Sequence, residues 1–198
     1  VPDGILAILG EPQVRSMPIL SAEPDLFPST LLDEEASADS WWLVYTLARR
    51  EKELMRRLRI LGIGHYGPLL RRRNRSAAGR IRESFVPLFP SYVFLRGDDA
   101  ARQQALATKC ISRTLPVPDS TRLVRDLQQV WRLLANDAPL EPEARLEPGR
   151  RVRVRSGSML GLEGTVVKRR GKDWLVVVVE FLQQGVSVLL EDFQVEAV

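Results

Sequence analysis

The sequence predicts an α+β domain followed by a small all-β unit, and three observations carry that prediction. Between residues 41 and 136, short β-branched and aromatic runs alternate with stretches of helical period, the order expected of one sheet with helices packed on it. Between residues 147 and 198 the apolar runs are short, and Gly157, Gly161, Gly164 and Gly171 punctuate them. Frequent glycine turns between short strands predict a small rolled sheet or barrel. Residues 137–146 hold Pro139 and Pro142 with little apolar content, so they read as a semi-extended linker.

The elements follow in order. Residues 1–40 are rich in proline, serine and acids without sustained periodicity, and they read as a disordered acidic arm. Trp41 to Leu47 is a buried strand by composition. From Arg49 to Leu61, apolar residues recur at Leu54, Met55, Leu58 and Leu61, the spacing of one helix face, and Gly62 and Gly64 end the helix. His65 to Leu70 reads as a strand interrupted or edged at Pro68. Residues 71–82 have no apolar face and read as an exposed basic hairpin or loop. A turn at Phe89-Pro90-Ser91 leads into a buried strand through Arg96. Asp98 is placed to cap a helix reaching Thr108, and Asp119 or Ser120 to cap another with Leu123, Leu127, Val130, Trp131 and Leu134 on one face. Between them, Ile111 to Val117 is extended, because Pro116 and Pro118 bar a helix.

Composition narrows the function. The chain has 198 residues and a net charge of +4. Eight acids against one base give residues 1–40 a charge of −7, which leaves +11 on the rest. A basic folded part suits work beside nucleic acid, whose phosphates dominate binding, and equally suits a solvated arginine-rich surface. Cys110 is the only cysteine, so an internal disulfide is excluded, which fits a reducing cytoplasm. No apolar run is long enough to span a membrane, and the N-terminus lacks the pattern of a secretory signal. The true start, Val1 or Met17, stays open.

Two motifs then combine. Gly161-Leu162-Glu163-Gly164-Thr165-Val166 resembles the KOW motif, with Gly161 and Gly164 as turn formers. Upstream lie a Trp-x-Val-Tyr strand (Trp42 to Tyr45) and a Phe-Pro-x-Tyr-Val-Phe element (Phe89 to Phe94), joined to the motif through the proline-containing linker. From Trp41 to Val198 the chain resembles the NusG/RfaH family of transcription elongation, termination and antitermination factors. The resemblance implies an NGN-type sheet with packed helices over residues 41–136 and an SH3-like KOW barrel over residues 147–198.

It also implies partners. In the family the NGN domain binds the clamp helices of the largest subunit of RNA polymerase. The matching positions are Trp42, Tyr45, Phe89, Pro90 and Tyr92. Large aromatics are effective interface anchors, but strand alternation sends about half of such residues into the core. The tract holding Arg71, Arg72, Arg73, Arg75, Arg80 and Arg82 falls where the family has a loop or hairpin near upstream or non-template DNA. Without interleaved aromatics it suits electrostatic positioning rather than base stacking. Family KOW barrels meet Rho or a small-subunit ribosomal protein, and the matching loop positions are Met159, Leu160, Phe181 and Leu182. Each of these is equally a candidate for closing the barrel. Ser91 departs from the glycine usual in the family, at a cost of about 1 kcal/mol if the turn requires positive φ.

Nothing in the sequence supports catalysis. One histidine and one cysteine cannot build a metal cluster, no phosphate-binding glycine loop is present, and no cofactor or metal is implied. The expectation is a monomeric cytoplasmic transcription factor, general or operon-specific, with the acidic arm, Ser91 and the basic hairpin favouring the specialised kind. The alternative is a ribosome- or RNA-associated KOW protein acting in translation.

Overall fold

A computed structural model describes residues 23–33, 40–75, 79, 81–136, 139–143, 149–190 and 195–198. The first part of the chain forms β1 (Leu26–Phe27), β2 (Trp41–Thr46), α1 (Glu51–Ile60), β3 (Gly64–Tyr66), β4 (Leu69–Arg75), β5 (Ile81–Pro87), β6 (Tyr92–Arg96), α2 (Asp99–Ala107), β7 (Ile111–Pro116) and α3 (Ser120–Leu134). The second part forms β8 (Leu140–Glu143), β9 (Arg150–Val154), β10 (Glu163–Arg169), β11 (Lys172–Val179), a 3-10 turn at Glu180–Leu182, β12 (Gln184–Leu189) and β13 (Val195–Ala197).

The N-terminal sheet has the order β1-β3-β6-β2-β7 and is antiparallel throughout. Side chains on a strand alternate between faces, so β2 feeds two cores. Trp41 and Leu43 join Tyr66 and Phe94 beneath α3, whose Leu123, Val124, Leu127, Val130 and Leu133 are buried there. Val44 points the other way, where Val93 and Leu95 meet Leu54, Met55 and Leu58 of α1 and Ala105 of α2. α2 and α3 start where the sequence places caps. The Asp98 carboxylate accepts from the Ala101 N–H, and the Asp119 carboxylate from the Arg122 N–H, each at 2.9 Å.

The acidic arm is not wholly an arm. Residues 23–33 pack on the domain: β1 extends the sheet edge at β3, and Leu31 and Leu32 are buried in the core under α3. Arg56 pairs with Glu23 at 2.8 Å, and the Gln128 amide donates to the Leu32 carbonyl at 2.5 Å. Residues 1–22 and 34–39 lie outside the described residues.

The expected strand from His65 to Leu70 is two strands in two sheets. Gly67 and Pro68 break it, so that β3 stays in the main sheet while β4 leaves to pair with β5 alone. That departure makes the basic hairpin. The turn after it needs the left-handed conformation anticipated at Ser91, whose φ is +68°. The buried carboxylate of Glu51, at the start of α1, accepts from the Ser91 N–H at 2.8 Å and holds the turn in place.

The C-terminal sheet runs β13-β9-β10-β11-β12-β8 and is antiparallel. Val152, Val154, Leu175, Val177, Val186 and Val188 share its buried face. Two expectations change here. Residues 140–143, expected within the linker, form the edge strand β8. There the Glu143 carboxylate accepts from Arg169 and from the Ser187 hydroxyl, each at 2.6 Å. Gly164, expected as a turn former, sits inside β10, where a Cβ would come within 2.5 Å of the Val176 carbonyl. Gly161 does form its turn, with φ +81°.

α3 contacts both halves of the molecule. Its second side lies against β11 and the 3-10 turn. The Asp126 carboxylate accepts from the Glu180 N–H at 2.9 Å, and the Gln129 side-chain carbonyl from the Glu163 N–H at 3.3 Å. A polar groove of about 910 Å³ runs between α3 and strands β10 and β11.

Candidate functional site

Pairing of β2 with β6 and β7 assembles one surface from residues far apart in sequence. Tyr45 lies directly opposite Tyr92 on one side and Arg113 on the other. The two tyrosine rings meet edge to face at 4.8 Å, a favoured aromatic geometry. The Arg113 guanidinium sits over the Tyr45 ring at 5.0 Å. Burial pushes the Tyr92 phenol above its ordinary range, so it remains a neutral hydrogen-bonding group. Leu115, two residues along β7 on the same face, is 38% exposed. Pro90 is exposed beside Tyr92 in the preceding turn. Together these residues offer a half-buried aromatic pair rimmed by a cation and an exposed leucine.

The other two predicted positions do not join this surface. Phe89 is only 1% exposed and packs edge to face against Phe94 at 6.3 Å, inside the core. Trp42 projects to the opposite side of the sheet. There its indole N–H donates to the Gly97 carbonyl at 2.9 Å, and Arg102 lies over its ring at 5.1 Å. Sequence reading missed Arg113 and Leu115. Their only local signal is a polar-apolar spacing on a short strand, and the register against Tyr45 and Leu43 gives it meaning.

The basic tract is a two-stranded ribbon. Register pairs Arg71 with Phe85, Arg72 with Ser84, Arg73 with Glu83 and Arg75 with Ile81. Arg71, Arg72, Arg73 and Arg75 are all exposed. One oxygen of Glu83 accepts from Arg71 at 2.6 Å and from Arg73 at 2.9 Å. Those two hydrogen bonds hold the Glu83 carboxyl below its usual range. Arg82 has its backbone in β5, paired with Asn74, and Arg80 lies outside the described residues.

In the C-terminal sheet the predicted positions divide. Met159 is 3% exposed and belongs to the core, whereas Leu160 is 66% exposed. Phe181 is exposed in the 3-10 turn, and Leu182 packs partly against the core. In an antiparallel meander the β9–β10 and β11–β12 connections emerge at one end of the sheet, so Leu160 and Phe181 share that end. Among the described residues no cluster of histidine, cysteine and carboxylates is placed to hold a metal ion, and no helix is long and apolar enough to cross a membrane.

A comparison with curated proteins returned no match. The sequence model of the family described as transcription termination factor NusG matches residues 39–145. That stretch covers more than half of the chain and includes the N-terminal sheet from β2 onward, the hairpin and α1, α2 and α3. The chain therefore belongs to the NusG family of transcription factors.

Proposed function

We propose that this chain is a non-enzymatic elongation factor that docks on RNA polymerase through Tyr45, Tyr92, Pro90, Arg113 and Leu115. The observation that carries this reading is the tyrosine pair. Two large aromatics stay half-open on the α3 side of the sheet, where Trp41, Tyr66, Phe89 and Phe94 are buried. Rigid aromatic side chains supply contact area with little loss of rotamer freedom, and a helical tip such as the polymerase clamp helices fits such a surface. Binding alters pausing, termination or antitermination by favouring one clamp state, and its effect is limited by its differential affinity for the two states.

In this reading the C-terminal sheet is the KOW-type module. Leu160 and Phe181 are its contact residues for Rho or a small-subunit ribosomal protein. The arginine hairpin holds upstream or non-template DNA by its phosphates. A hairpin this basic, an acidic segment before the domain and a left-handed serine in place of glycine favour a specialised paralogue working in the cytoplasm. Placing a photo-crosslinking residue at position 115 should label the largest polymerase subunit in elongation complexes. The same residue at position 60, where Ile60 is 85% exposed on α1, should not. Equal labelling from both positions, or none from 115, would remove the docking surface from this face.

A further inference from the structure

The family model begins at residue 39, so residues 23–33 lie outside the stretch it matches. They nevertheless tie three elements of the domain together. Arg56 of α1 pairs with Glu23 at 2.8 Å, and Arg59 donates to the Pro24 carbonyl at 2.5 Å. Phe27 stacks on His65 of β3 at 5.8 Å, Leu31 and Leu32 are buried under α3, and Gln128 of α3 donates to the Leu32 carbonyl. Asp25 sits between these anchors and meets the point where the chain leaves the main sheet for the arginine hairpin. Its backbone carbonyl accepts from the Gly67 N–H at 2.8 Å, and its carboxylate from the Leu69 N–H at 3.2 Å. The Leu88 N–H donates to the Pro68 carbonyl at 2.8 Å, so by antiparallel alternation Leu69, one residue on, turns its N–H away from β5. Leu69 is buried, and a buried backbone donor needs an acceptor, which Asp25 supplies. On the other side of the junction, Gly67 lies so close to Met55 of α1 that a Cβ would come within 2.5 Å of its Sδ.

We infer that Asp25 is a positioning residue, which fixes the direction in which the hairpin leaves the sheet by holding the Gly67 and Leu69 N–H groups on either side of Pro68. The hairpin needs such a brace. Among the described residues β4 and β5 pair with each other and with no other strand, and a two-stranded ribbon by itself is marginally stable at best. The carboxylate is placed for this task and not for an ion pair. Burial pushes it above the ordinary range, and no cation pairs with it among the described residues. A partly buried carboxylate without a cation is costly, and its one side-chain contact beyond its own residue is the Leu69 N–H. The direction it sets fixes the spacing between Arg72 on the hairpin and the Tyr45–Tyr92 pair on the main sheet. The inference goes beyond the docking reading and holds whatever the hairpin contacts.

The test uses the full chain carrying Cys110→Ala, with spin labels attached through Arg72→Cys on the hairpin and Ile60→Cys on α1, both exposed positions. Double electron–electron resonance reads the distance between the labels, and melting curves confirm that each variant folds. The parent should give one narrow distance distribution. Asp25→Ala should broaden it by about twofold and speed exchange of the Leu69 N–H by about tenfold, with Val93 exchange unchanged. Asp25→Asn keeps an acceptor oxygen and should restore the narrow distribution. Glu23→Ala removes an exposed ion pair and should leave the distribution narrow. Asp25→Glu lengthens the arm by a methylene and should displace the distribution, which keeps the test decisive if Asp25→Ala does not melt cooperatively. A broad distribution in the parent, an unchanged one in whichever of Asp25→Ala and Asp25→Glu folds, or equal broadening in Asp25→Asn and Asp25→Ala would each overturn the inference. The measurement needs neither polymerase nor nucleic acid, so failure of the docking reading leaves these outcomes interpretable.

Discussion

Ser91 and His65 show how single residues depart from their preferred state and what holds them there. Ser91 occupies left-handed backbone, which costs an L-residue about 1 kcal/mol, and the Glu51 carboxylate bonding its N–H offsets part of that cost. Replacing Ser91 with glycine should therefore stabilise the domain by up to about 1 kcal/mol in urea unfolding. Glu51→Ala should destabilise it by about 1 kcal/mol, because a partly buried N–H loses its acceptor. His65 is fully buried against Phe27, with Nδ1–H donating to the Ile63 carbonyl at 2.8 Å and Nε2 without a hydrogen-bond partner among the described residues. Burial lowers its pKa to about 4, so the folded state favours the neutral ring. The unfolded chain takes up this proton near pH 6.5, and the folded chain only near pH 4. Stability is thus complete above about pH 6.5 and falls as the pH drops towards 4, by up to about 3 kcal/mol. Thermal melts at pH 7 and pH 4.5 should show this loss, and His65→Phe should reduce it.

At the scale of elements, what was legible in the sequence was what local chemistry decides. The helical period of α1, the caps Asp98 and Asp119 and the unpatterned arginine run all announce themselves within a few residues. The segments that were misread depend on distant partners. Leu26 pairs with Tyr66, and Leu140 with Val188, and neither pairing leaves a local trace. Pro142 even argues against a strand, and it is tolerated because β8 is an edge. The same limit applies to the site. Phe89 and Tyr92 sit three residues apart in one motif, yet the left-handed turn at Ser91 sends Phe89 into the core and leaves Tyr92 open. β8 pairs with β12 along its length, and Glu143 anchors its end. Burial raises this carboxyl, but hydrogen bonds from Arg169 and Ser187 outweigh that and hold it below its usual range. Glu143→Ala should cost the C-terminal sheet about 2 kcal/mol and speed hydrogen exchange over residues 140–143. Unchanged exchange there would mean that backbone pairing alone secures the strand.

Across the whole molecule, the protein presents three surfaces from one scaffold. The tyrosine pair opens at an end of the N-terminal sheet, the arginine ribbon leaves it beyond Pro68, and the C-terminal sheet is carried on the far side of α3. Family membership rests on the matched residues 39–145, and the proposed role rests on what the tyrosine surface binds. The direct test is affinity of the Tyr45→Ala/Tyr92→Ala variant for reconstituted RNA polymerase elongation complexes, with pausing as readout. The variant should lose at least about tenfold in affinity together with any pausing effect, while the melting transition stays cooperative. Wild-type affinity in the double variant would contradict that role.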